Sequence, residues 1–194
     1  DPGINGEGYP FYGTWRCEKH GDFFFWTHPK TGFHWISSGE RMFFLFGHAY
    51  NPFTMEINEE AILRRVADHF GRDDYFQTID ELTGIFVFGV LTGNRIEYLV
   101  DPSGMQSACS GIVGRYYYLT SHAQLVSDLC GLPMDPFVRK LVAYKWYRRV
   151  MGGYLPTDLT PFSSRSGSAV FFRHSQQNHF ASKVLSADGF KAMP

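Results

Sequence analysis

Residues 43–61, FFLFGHAYNPFTMEINEEA, constrain the fold of this chain more than any other stretch. An apolar run ends at Gly47-His48, which predicts a strand followed by a turn, and Asn58 then stands where a helix can begin. An asparagine side-chain oxygen at that position accepts from an orphan N–H of the first turn. Glu59 and Glu60 put negative charge at the positive end of the helix dipole. Ile62, Leu63, Val66 and Phe70 recur at helical spacing and Gly71 supplies the stop, so a helix is predicted over 58–70.

Upstream, residues 1–10 (DPGINGEGYP) are rich in Gly and Pro and read as irregular. An apolar run at 23–27, a Pro29-Lys30-Thr31-Gly32 turn and a second run at 33–36 predict a hairpin, and Ser38-Gly39-Glu40 turns into a strand over 42–46. Downstream, residues 76–82 predict a short helix with Phe76, Ile79 and Leu82 on one side. Residues 85–91 and 95–100 predict a hairpin in which Gly93 supplies positive φ. A strand over 116–120, a helix over 121–129 and a strand near 170–173 follow the same logic. Asp135 caps a longer helix with Pro136 at its first position, where the missing N–H costs nothing, and Gly152-Gly153 ends it. Strands and helices in this order, without regular β-α-β alternation, indicate an α+β layered domain. The expected organisation is an irregular arm over 1–22, one domain over 23–181 and a tail over 182–194.

Composition narrows the function classes. Of 194 residues, 44% are hydrophobic and 18% aromatic, enough for a substantial core with aromatic-rich sheets. Eighteen basic residues against nineteen acidic ones argue against a protein whose main task is gripping nucleic acid. Cys17, Cys109 and Cys130 are widely spaced and form no CxxC pair, which fits a reducing compartment. No run of 18 apolar residues and no basic-then-apolar leader occurs, so no membrane contact is expected and the expected location is cytoplasmic. No G-x-S-x-G elbow is present. His20, His28 and His34 form neither HxH nor HExxH pairs, so no metal is expected; His28 and His34 would face each other across the 23–36 hairpin.

A series of segments in order along the chain resembles the glutaminase half of asparagine synthetase and its relatives, the class II glutamine amidotransferases. Residues 45–51 (LFGHAYN) lie over that family's VNGEIYN, and 58–62 (NEEAI) over its DxExI. Residues 80–90 (DELTGIFVFGV), 101–104 (DPSG) and 118–125 (YLTSHAQL) resemble its LDGMFAFAL, RDxLG and YFASELKAL. Residues 154–162 (YLPTDLTPF) and 178–180 (NHF) are similar to the segments that close the glutaminase half. The resemblance spans about residues 40–181. It implies a layered α-β-β-α sandwich of the Ntn-hydrolase type, with the family's first strand lacking or reduced to Phe11-Tyr12-Gly13.

The resemblance also implies a degenerate site. The family builds an oxyanion hole from an Asn-Gly pair; Phe46 replaces the asparagine, Gly47 is kept and His48 stands at the following glutamate. A phenylalanine donates no hydrogen bond, which leaves the Gly47 N–H as the one expected oxyanion donor. Asn58 replaces the aspartate that holds the glutamine amino group, and Asp101 is the remaining carboxylate of the vestigial pocket. The family's nucleophile is an N-terminal cysteine that uses its own α-amino group as base, whereas this chain begins Asp1-Pro2. Cys17 would take that role only after cleavage behind Arg16, and its polar CEKHG context differs from the apolar family strand.

Three functions therefore stand side by side: a non-catalytic scaffold, an amidohydrolase exposed by cleavage before Cys17, and a module in which the Gly47, His48 and Asn58 pocket binds an amino acid. The expected partner is an ATP-dependent synthetase domain or subunit, with ATP and magnesium confined to it and no cofactor in this chain. Ser164-Arg165-Ser166-Gly167-Ser168 lacks the double glycine and aspartate of the synthetase phosphate loop. Lys140, Lys145, Arg148 and Arg149 form a basic side on the 136–151 helix, either a solvated face or a docking face, and a homodimer is compatible with the sequence.

Overall fold

A computed structural model describes residues 13–144, 163–165 and 172–175. Its elements are β1 (Arg16–His20), β2 (Phe23–Thr27), β3 (Phe33–Ser38), β4 (Arg41–Tyr50), α1 (Glu59–His69), α2 (Tyr75–Asp80), β5 (Thr83–Thr92), β6 (Arg95–Val100), β7 (Ala108–Val113), β8 (Tyr116–Thr120), α3 (Ala123–Cys130), α4 (Pro136–Ala143), β9 (Ser163–Arg165) and β10 (Phe172–Ser175). Strand pairing is antiparallel throughout. The chain is a mixed α+β protein. It divides into two compact units, one of residues 1–105 and 167–194 and one of residues 106–166.

In the first unit a five-stranded sheet runs in the order β10-β6-β5-β4-β3. Its core lies under α1 and α2. Ile62, Leu63 and Val66 of α1 and Tyr75 and Ile79 of α2 pack with Phe43, Leu45, Phe86, Phe88 and Leu99 of the sheet. Each such side chain contributes about 1.5 to 3 kcal/mol on burial. The opposite sheet face is buried too, because Phe44 and Phe46 meet Phe25 of β2 at 5.3 and 6.0 Å between ring centroids. Gly89 makes room for this: a Cβ there would lie 2.2 Å from the Phe44 ring.

Several local expectations are met. Asn58 caps α1 by accepting from the Ala61 N–H at 2.9 Å. Asp135 accepts from the N–H groups of Phe137 and Val138 at the start of α4. Gly93 takes φ 58° in the two-residue turn between β5 and β6.

Other expectations are corrected. The arm expected over 1–22 contains β1, which pairs with β2 from Arg16↔Thr27 to His20↔Phe23. Consequently β2 and β3 form no hairpin; β3 pairs with β4, and His28 does not face His34. The turn at 28–32 still forms, with Thr31 donating to the His28 carbonyl at 2.9 Å. Aromatic packing then directs β2 over the sheet, where Phe25 stacks on Phe33 at 5.1 Å, while Trp35 donates its Nε1–H to Glu18 at 3.0 Å. Of the expected helix face, Ile79 and Leu82 are buried in the core, while Phe76 is exposed and Tyr75 and Thr78 are buried beside them.

The second unit holds a three-stranded sheet in the order β8-β7-β9, with α3 packed through Ala123 and Val126 against Cys109. Residues 145–151 of the helix expected over 136–151, with Lys145, Arg148 and Arg149, and the segments 154–162 and 178–180 lie outside the described residues. Among the described residues no helix is long and apolar enough to cross a membrane.

Candidate functional site

The expected Gly-His turn is part of a strand. β4 continues through Gly47 and His48 to Tyr50, pairing Gly47↔Phe86, His48↔Ile85 and Ala49↔Gly84 with β5. Gly47 has φ 92°, and a Cβ there would lie 2.2 Å from the Ile85 carbonyl oxygen. Gly84 answers it on the partner strand, with φ 132° and the His48 carbonyl oxygen 2.2 Å from the position of a Cβ. Glycine is needed at both places because the two strands twist into contact there.

The same twist brings Gly47 against Gly32. The Gly47 N–H, the one expected oxyanion donor, donates to the Gly32 carbonyl at 2.8 Å. Gly32 in turn has no room for a side chain, since a Cβ would lie 2.7 Å from the Gly47 carbonyl oxygen and 3.3 Å from both the His34 and His48 rings. Phe46 is half-buried and stacks on Phe33 at 4.5 Å. Phe46 and Gly47, where an oxyanion pair was expected, thus make an aromatic core contact and a backbone hydrogen bond within the fold.

Asn58 and Asp101 are also occupied. Asn58 caps α1 with its side chain and donates its backbone N–H to the Glu56 carboxylate at 2.8 Å. Asp101 is fully buried; its carboxylate accepts from the Ser103 hydroxyl and from the Met105 N–H, and its carbonyl accepts from Gly104. That arrangement closes the DPSG turn. The Asp101 N–H donates to the Phe86 carbonyl at 2.9 Å, which places the turn one strand away from Gly47.

His48 has a different situation. Its Nδ1 lies 3.0 Å from the Glu59 carboxylate, and its side chain is 78% exposed. Burial raises the Glu59 pKa, but the His48 hydrogen bond, a backbone N–H and the charges of His34 and His48 outweigh it and hold the carboxyl below its ordinary value. The pair directs Nδ1 toward Glu59. Glu59 was read from sequence as a dipole partner alone; its pairing with a residue on β4 carries no local signal.

Cys17 lies within β1 opposite Trp26, exposed. Partial desolvation by its neighbours and then the Glu18 charge raise its thiol pKa, so the thiolate that attack requires is scarce at neutral pH. Cleavage before it would detach Arg16 from its pairing with Thr27. Among the described residues no group of three His, Cys, Asp or Glu side chains can hold a metal ion.

Sequence reasoning missed Asn51. It is buried and donates its amide to Glu81 at 3.0 Å, while its side-chain oxygen accepts from the N–H groups of Phe53 and Thr54. Glu81 also binds Arg65 at 3.0 Å. The Asn51-Pro52 dipeptide was the available signal, because asparagine before proline initiates turns. A scan of protein-family models finds none that matches this chain, and no curated protein matches it.

Proposed function

We propose that this chain is a non-catalytic domain of the class II glutamine amidotransferase type, with the layered Ntn-hydrolase sandwich. It serves as scaffold or docking partner for an ATP-dependent, amide-forming synthetase domain, which would hold the ATP and magnesium. The observation that carries this reading is the hydrogen bond from the Gly47 N–H to the Gly32 carbonyl. An oxyanion donor works only when its hydrogen is aimed at the developing negative oxygen; this one is spent on the fold. The capping role of Asn58 and the turn-closing role of Asp101 support the same reading.

The test is incubation of the purified chain with glutamine while ammonia and glutamate are followed. The expected result is release no faster than the blank. Release that disappears in Cys17→Ser would overturn the proposal in favour of an amidohydrolase.

A further inference from the structure

The segment between β4 and α1 is a short apolar finger. Its base is fixed three ways: the Asn51 N–H donates to the Glu56 carbonyl at 2.8 Å, the Asn51 side chain accepts from Phe53 and Thr54, and Glu56 accepts from Asn58. Above this base Phe53, Met55 and Ile57 are 78%, 80% and 75% exposed. Met55 has φ 58°, a left-handed conformation that costs an L-residue about 1 to 2 kcal/mol. A loop that spends hydrogen bonds and strain to hold three large apolar side chains in water is arranged for contact rather than for folding.

We propose that this finger is the docking element of the chain, and that its occupant is a protein surface with an apolar pocket and a basic rim. Two observations select that partner. Three side chains are far less than the roughly 1,200 to 2,000 Å² of a standard interface, so they act as an anchor cluster that must enter a concavity. The second is charge. Residues 42–63 contain no Lys or Arg and three glutamates, and the next bases, Arg64 and Arg65, are matched by Glu60 and Glu81. Glu59 is engaged by His48, so Glu56 is the carboxylate left beside the finger, and its charge disfavours an anionic lipid surface and favours a basic protein rim. Because the loop is already ordered, binding forfeits little conformational freedom.

This inference rests on the docking part of the reading above and is independent of the lost glutaminase chemistry; ammonia release tests the one and the following experiment tests the other. Benzoylphenylalanine at position 53 of the full chain is photo-cross-linked in the source cell, and the adduct is identified and its attachment site mapped. The purified adduct protein is then titrated with the wild-type chain, Phe53→Ser and Met55→Asn. Asparagine tolerates left-handed φ, so Met55→Asn removes the apolar tip while keeping the loop, and melting curves confirm both folds. The expected result is attachment in an apolar pocket bordered by Lys or Arg, affinity that falls with salt, and a loss of tenfold or more in each variant. An absent adduct, an adduct to lipid or to a second copy of this chain, or variants that bind as the wild type does would overturn it.

Discussion

Gly47 donates its backbone N–H to the carbonyl of Gly32 at 2.8 Å, across the end of the β3–β4 pairing. That bond, with the close approach of Ile85 on the other side, turns a residue expected to serve chemistry into a joint of the sheet. Substitution should therefore damage folding. Gly47→Ala places a methyl 2.2 Å from the Ile85 carbonyl at φ 92°, and a loss of roughly 3 kcal/mol or more is expected in urea unfolding. A loss below about 1 kcal/mol would mean that the strands do not meet as described.

Phe46→Asn introduces the side chain that the resembled family uses at the position expected to match. It should not restore glutamine hydrolysis, because the neighbouring Gly47 N–H stays committed to Gly32. It should instead cost roughly 2 kcal/mol through loss of the stack on Phe33 and of the contacts with Phe25 and Phe44. Ammonia assay and thermal melting read the two effects separately.

At Asn58 the cap and the ligand reading give opposite expectations. Asn58→Asp keeps an oxygen acceptor for the Ala61 N–H and adds charge at the favourable end of α1, so stability should hold or rise slightly. Asn58→Ala should cost about 1 kcal/mol. Glutamine should leave the melting temperature of the aspartate variant unchanged; a clear rise would show that a binding pocket survives.

The Glu59–His48 pair predicts a modest pH dependence. The folded-state pKa of Glu59 lies below its ordinary value of 4.5, so its contribution is present above that value and is lost as pH falls through the lower folded pKa. In the wild type this should amount to less than about 1 kcal/mol, since His48 is mostly in water. Glu59→Gln should be less stable than wild type near neutrality, and the two should converge in acid. Parallel unfolding curves at both ends of the range check the sign.

What was legible in the sequence was local. Asn58, the two following glutamates and the Ile62, Leu63 and Val66 spacing specify α1 within one segment, and the structure agrees. Gly93 likewise specifies its own turn. Gly47 was misread as a turn because a glycine before histidine carries no mark of which distant backbone approaches it; Ile85 and Gly32 supply that reason. The Pro29-Lys30-Thr31-Gly32 turn was real, but a turn does not dictate that its flanking strands pair. Burial of Phe25 against Phe33 and Phe44 won instead, and β2 took β1 as its partner. Asp101 and Asn58 were named as pocket residues through the resemblance, and the groups their side chains hold include Ser103, Met105 and Ala61, all within four residues in sequence.

The most direct measurement is amide hydrogen exchange at Gly47, followed by NMR with and without glutamine. A backbone N–H bonded inside a sheet exchanges only when the surrounding structure opens. The account predicts strong protection and a Gly47 resonance that does not move when glutamine is added. Rapid exchange, or a glutamine-dependent shift of that amide, would contradict it and return Gly47 to the role of an oxyanion donor.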